Sequence, residues 1–281
     1  MPELLVLDVE KLLEDRAATL RNFRDPQRSP YAAVLRHDFA GSRPVVVGSA
    51  EDADLQLEGL SPHHLRVQVE GDKFQLDGLG GDFTPSGKEA TRAARISAGA
   101  VQVGRYTLRL SHQNFPAVLV LDPQSPRLQE GPPPRWFDPA KEFRLRAHLL
   151  RDEQPREELI FSTRGNKRRA LKLGVLHFEL EGKPQKLTAV RLLEPGVGEA
   201  AVSIFFRDQT TGHESYPVGR YLEPEPLSGA RRGDDYLLDF NRAYNPACAF
   251  SPHYNCPIPP RENVLAAAVR AGERDPGAPA P

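Results

Sequence analysis

The stretch VVVGSAEDADLQLEGLSPHHLRVQVEGDKFQLDG, residues 45–78, decides the fold class. Its apolar residues come in short runs that alternate with polar ones, and Gly, Pro and Asp clusters separate the runs. A period of two turns successive side chains to opposite faces of a sheet. The same pattern, in RPVVVGS, HLRVQVE, KFQLDG and YTLRLS, extends from Tyr31 to Leu121, and short strands with turn signals between them predict an all-β sandwich.

Upstream, Val9, Leu12, Leu13, Ala17 and Leu20 recur at helical spacing among Glu, Asp and Arg, so Val9–Phe23 reads as a helix that Pro26 and Pro30 end. Downstream, DPQSPRLQEGPPP (Asp122–Pro134) lacks backbone donors at its prolines and favours extended, solvated chain. Strands resume after Trp136 as EFRLRAHLL, KLGVLHFELEG, KLTAVRLLE, AAVSIFFRD and YLLDF. The expected order is an N-terminal helix (1–26), a β-sandwich (27–121), a proline-rich linker (122–134), a second β-rich domain (135–272) and a frayed tail (273–281). The fold class is mainly β.

At 281 residues the chain is near the size at which one core gives way to two. Its 37 Lys and Arg balance 38 Asp and Glu, which provides no global field to draw in nucleic acid or an anionic membrane. The N-terminus lacks the basic start, apolar stretch and small-residue site of a signal peptide, and no apolar run approaches the roughly 20 residues that cross a bilayer. A cytoplasmic location is expected. Cys248 and Cys256 are the only cysteines, and in a reducing compartment such a pair is not a structural disulfide by default.

VVVGSAEDADLQLEGLSPHHLRVQVEGDKFQLDGLGG, followed by ISAGAVQVGRYTLRL, resembles the forkhead-associated domain, a sandwich that binds phosphothreonine. Gly48, Ser61 and His64 stand at corresponding positions. The resemblance implies phosphate contacts from two arginines and an Asn-Gly loop, but Ser49 and Pro62 occupy the arginine positions and GGDFTPSG has no Asn-Gly. Without a guanidinium fork, phosphopeptide binding is disfavoured. His63 and His64 are expected at a strand opening, one facing in and one out.

FRDQTTGHESYPVGRYLEPEP and YLLDFNRAYNPACAFSPHYNCPIPPRENVLAAAVRAGE, from Phe206 to Glu273, resemble the bacterial and archaeal domain of unknown function 1684. The resemblance implies a mainly β fold and no activity, so the residues are read directly. Asp208, Thr210 and Gly212 suit a turn. Arg207, Tyr216, Arg220 and Tyr221 suit an anion cradle, or else salt bridges to Glu214, Glu223 or Asp239. Strand alternation would place Asp239 and Asn241 on one surface with Arg242 nearby, while Tyr244 reads as a packed ring and Asn245 before Pro246 as a turn.

Cys248, His253 and Cys256 form C-x4-H-x2-C, which leaves three readings open: a metal site short of a fourth ligand, a redox-sensitive disulfide, or a buried thiol pair. No metal or other cofactor is assigned. The prolines of NPACAFSPHYNCPIPP stiffen this loop, which fits the wall of a site. No Gly-x-Ser-x-Gly elbow, phosphate loop, dinucleotide fingerprint or His-Glu-x-x-His helix occurs. The expected function is binding of a small polar or anionic ligand by Arg207, Tyr216, Arg220, Asp239, Asn241, Arg242, Tyr244, Asn245, Cys248, His253 and Cys256. The alternatives are a hydrolase at the same residues or an interaction scaffold built on the sandwich.

Overall fold

A computed structural model describes residues 6–41, 43–112, 115–227 and 234–277. They group into two units, Asn22–Gly131 and a second formed by Met1–Arg21 with Pro132–Pro281. The chain is mainly β.

Among the described residues the Asn22–Gly131 unit holds ten strands: β1 (Ala33–Asp38), β2 (Val45–Gly48), β3 (Leu55–Gln56), β4 (Leu65–Glu70), β5 (Lys73–Gly78), β6 (Thr84–Pro85), β7 (Ala93–Ile96), β8 (Gly99–Val103), β9 (Tyr106–His112) and β10 (Pro116–Leu121). They form two five-stranded sheets, β1-β10-β9-β8-β6 and β3-β2-β4-β5-β7. The alternation read from the sequence is the packing pattern. Val45, Val47, Leu65, Val67, Phe74 and Leu76 of one sheet share a core with Val101, Val103, Leu108, Leu110, Val118 and Val120 of the other. Gly81 is small because the ring of His64 lies where a Cβ would be, 2.0 Å from its Cε1.

The proline-rich segment is not the extended, solvated chain expected of it. Asp122 N donates to Ala32 O and Ser125 Oγ to Tyr31 O, and Arg127–Glu130 forms a short helix. Local hydrogen bonding therefore carries residues 122–131 into the first unit, and the division falls at Gly131.

The second unit begins with helix α1 (Val9–Asn22). It groups with the C-terminal residues and is not a segment apart. Of its apolar stripe Leu12 is buried, while Val9, Leu13 and Leu20 are exposed. Polar contacts tie the helix instead: Arg242 Nη2 lies 2.8 Å from Asp15 Oδ2, and the Arg16 guanidinium stacks 5.5 Å from the Trp136 ring centre.

This unit's strands are β11 (Arg144–Phe161), β12 (Lys167–Leu180), β13 (Lys183–Leu192), β14 (Ile204–Phe206), β15 (Arg220–Leu222), β16 (Glu225–Pro226) and β17 (Asp235–Asp239). The main sheet runs β13-β12-β11-β17-β16, and β14 pairs with β15. Glu181 and Gly182, with φ of 54° and 69°, make the two-residue turn between β12 and β13, where a primed turn matches the strand twist. Leu149, Leu176, Leu187, Ile204, Phe206, Leu238 and Phe240 form the core, completed by Leu265, Ala267, Val269 and Ala271 from a C-terminal ribbon with no strand of its own. Nor is Glu273 part of a frayed tail: it is 4% exposed and bridges to Trp136. Residues 278–281 of that expected tail lie outside the described residues.

Candidate functional site

β14 and β15 place Arg220 opposite Phe206, facing the core. Arg220 is 1% exposed, and its guanidinium donates to Asp208 Oδ2 at 2.7 Å and to the carbonyls of Val269, Ala271 and Glu273. An arginine capped in this way cannot form one arm of an open cradle, which corrects its assignment to the ligand. Asp208 does two jobs: Oδ1 accepts from Thr210 N and Oγ1 in the expected turn, and Oδ2 neutralises Arg220. Arg207 points elsewhere, its Nε donating to Val218 O at 3.1 Å.

Asp239 and Asn241 do lie together, Asn241 Nδ2 donating to Asp239 Oδ1 at 2.9 Å, but both are buried, and the contact is made where β17 ends at Asp239 and the chain turns into a 3₁₀ helix. Asp239 caps that turn by accepting from Asn241 N and pairs with Arg144 at 2.5 Å. Asn241 exchanges hydrogen bonds with the backbone of Ala140. Arg242 faces Asp15, Glu225 and Asp239. Tyr244 packs edge-on against Tyr221 and donates to Glu223. These groups hold the fold.

The proline loop does bring three of the expected residues together. Cys248 N donates to Cys256 Sγ at 3.4 Å, and the Tyr216 hydroxyl donates to Cys248 O at 3.1 Å while lying 3.9 Å from Cys248 Sγ. Both thiols are free; Cys248 is half-buried and Cys256 buried. Thr163 clamps the inner cysteine: its N donates to Cys256 O, and its Oγ1 accepts from Cys256 N. Buried Arg168 donates to Ser162 Oγ, Glu194 Oε1 and Asn255 O, and the Tyr221 hydroxyl donates to Pro257 O, so the loop is pinned along its length.

Hydrogen bonding from Cys256 acts against burial to bring the Cys248 thiol down to about 7, while Cys256, as donor and more deeply buried, is pushed up. Burial pushes the Tyr216 phenol up, which keeps it a donor. His253 N donates to Ser251 Oγ. Among the described residues, no three His, Cys, Asp or Glu side chains gather as a metal ion requires.

A second polar group, which the sequence reading missed apart from Asn245, lies beside α1. Glu273 Oε2 accepts from Asn245 N at 2.8 Å, Asn245 Nδ2 donates to Arg274 O, and the Arg274 guanidinium stacks 5.3 Å from the Phe137 ring centre. Burial raises the Glu273 carboxyl to about 7 against the pull of Asn245, Arg220 and Arg16. Here Arg16 Nε and Nη2, Arg274 Nε and Asn245 Oδ1 are buried without a hydrogen-bond partner. The only sequence signal for this group was the concentration of Arg, Glu and Asp in a segment with no apolar period. Among the described residues, surface hollows elsewhere include one of about 380 Å³ at Asp152–Gln154, Arg156, Glu158 and Lys172, and one of about 280 Å³ at Gln27, Thr84–Gly87 and Arg109.

The fold and these residues define a β-rich protein whose C-terminal unit packs a strandless, proline-stiffened ribbon onto an antiparallel sheet. Residues 134–274 match the family described as protein of unknown function DUF1684, and the chain belongs to that family. It is 38% identical to the uncharacterized protein from gene locus rrnAC0354 of Haloarcula marismortui, known from a solution NMR structure, over 50% of this chain and 76% of that one, with a TM-score of 0.42. No curated protein matches it.

Proposed function

We propose that the C-terminal unit binds a small polar anion beside α1, between Arg16 and the Asn245–Glu273–Arg274 group. The supporting observation is the set of buried donors and one acceptor there that the protein leaves unpaired. Buried polar groups are hydrogen-bonded in the great majority of cases, so such a set suits a guest or ordered water. Two guanidinium edges favour acceptor oxygens, and Asn245 Oδ1 favours a donor on the same molecule. A hydroxycarboxylate meets both demands. Asn245 thus keeps its expected place in the proposed binding set, and Arg220 donates to Glu273 O behind it.

Thermal denaturation with malate, and with succinate as the analogue lacking the hydroxyl, tests the reading. Ligand in hundredfold excess over its Kd stabilises the native state by about 2.7 kcal/mol. Malate is expected to raise Tm more than succinate, and Arg16→Gln to abolish the response. No shift with either acid, or an unchanged shift in Arg16→Gln, overturns it.

We further take the N-terminal sandwich to be forkhead-associated-like and to act as a phosphate-independent scaffold in the cytoplasm. Ser61 Oγ donates to Gly80 O and His64 Nε2 to Asp82 O, and there is no arginine at Ser49 or Pro62 to add charge. Free thiols suit a reducing compartment. A phosphothreonine peptide is expected to leave the amide resonances of Ser61–His64 unmoved; saturable shifts there would overturn the phosphate-independent part.

A further inference from the structure

We infer that Cys248 and Cys256 are a redox-active dithiol that exchanges with low-molecular-weight disulfides, Cys248 as the attacking thiol and Cys256 as the resolving one. This inference is independent of the anion site.

Position assigns the two roles. Cys248 is half-buried on a 3₁₀ turn after Pro246, within reach of a reagent from solvent, whereas Cys256 is 7% exposed. Cys256 Sγ sits 3.4 Å from Cys248 N, within one side-chain length of the other sulfur. An apolar surround of Ile160, Ala170, Val190, Phe205 and Tyr221 closes over the inner thiol. The backbone on both sides is fixed, at Pro246 on one and by the Thr163 clamp and Pro257 on the other. Joining two sulfurs whose chain ends are already adjacent adds little loop-closure cost. The Tyr216 hydroxyl donates to Cys248 O at 3.1 Å and lies 3.9 Å from Cys248 Sγ, close enough to turn its one proton to the sulfur when negative charge forms there. The charged and titratable groups around the pair include Tyr216, Tyr221 on β15, Tyr244 and Arg168 on β12.

The exchange balances as follows. The Cys248 thiolate attacks one sulfur of R–S–S–R, the S–S bond breaks, and RS⁻ leaves with a mixed disulfide formed on Cys248. Cys256 gives up its proton to the released RS⁻ and attacks Cys248 Sγ, expelling the second RS⁻, which takes the proton that Cys248 had lost to water. The protein loses two hydrogens and two electrons and becomes the disulfide; R–S–S–R is reduced to two RSH.

The full chain, reduced and then incubated anaerobically with oxidised glutathione, is analysed by intact mass after alkylation. Because the chain has only two cysteines, a monomer that has lost two hydrogens and takes no alkyl group must carry this bond. Wild type is expected to reach that state without accumulating adduct. Cys256→Ser is expected to stop at one glutathionyl group on Cys248, and Cys248→Ser to react at least tenfold more slowly. A wild-type chain that stays fully alkylatable, or a Cys248→Ser chain that reacts as fast as Cys256→Ser, overturns the inference. Should either serine variant fail to fold, peptide mapping of oxidised wild type decides: a Cys248–Cys256 crosslinked peptide supports it, and separate glutathionylated peptides overturn it.

Discussion

Asp208 Oδ2 and Arg220 Nη2 meet at 2.7 Å, with side chains 0% and 1% exposed. Such a pair is costly to desolvate, but removing one member leaves the other charged and alone. Arg220→Met is expected to lower unfolding stability by about 3–5 kcal/mol, measured by urea denaturation. Arg220→Lys should not restore it, since one ammonium cannot reproduce the guanidinium's bonds to Asp208, Val269 and Ala271 together.

Glu273 gives a pH dependence of known sign. Its carboxyl lies at about 7 in the folded chain against an ordinary 4.5, so between these values the native state holds a proton that the unfolded state has released. Stability is fully present below about 4.5 and falls as pH rises toward about 7, by an amount on the order of 3 kcal/mol. Glu273→Gln keeps an acceptor for Asn245 N and cannot ionise. Melting curves from pH 5 to pH 8 should be flatter for the variant, and a wild type whose Tm rises over that range contradicts the assignment.

The rate of Cys248 alkylation by iodoacetamide is expected to rise with pH to half its maximum near about 7, since the thiolate is the nucleophile. Tyr216→Phe removes the hydroxyl that lies 3.9 Å from the sulfur and should move the midpoint upward. An identical profile in the variant would deny the phenol any part in stabilising the thiolate.

Asn263, fully buried, accepts from Thr188 N at 2.7 Å and donates to the carbonyls of Thr188 and Phe205, joining the ribbon to β13 and β14. Asn263→Ala leaves these backbone groups without partners and is expected to cost about 1–3 kcal/mol. Hydrogen exchange should show faster opening at Thr188 than at β4 amides.

What the sequence discloses depends on how far apart the interacting residues are. The alternation of Leu65 with Val67 and of Phe74 with Leu76 is local and gave the sandwich strands directly. The period of α1 is equally local, yet it marks a helix without saying what covers Leu13 and Leu20, which the structure leaves exposed. At Asp208 the turn chemistry was legible, but the ion pair with Arg220 was not, because it depends on how β15 returns beside β14. Asp239 and Asn241 do meet, but their burial was missed for a related reason: alternation was carried two residues past Asp239, where side-chain capping ends the strand. Tyr216, Cys248 and Cys256 were each singled out, but Thr163, which holds the inner thiol in place, carries no signal in its own stretch of sequence. Glu273 was read as tail because RAGERDPG has no apolar period; its burial follows from pairing with Trp136, far earlier in the chain.

The strandless ribbon also sets an order of events during synthesis. Leu265, Ala267, Val269 and Ala271 fill the same core as β11–β15, and α1, made before the sandwich, is bound to residues of this unit. The sandwich of Asn22–Gly131 has its whole core within its own span and can close while the ribosome is still translating the rest. The helix that precedes it must wait with its partners unmade, so a segment translated before the sandwich finds its seat after it.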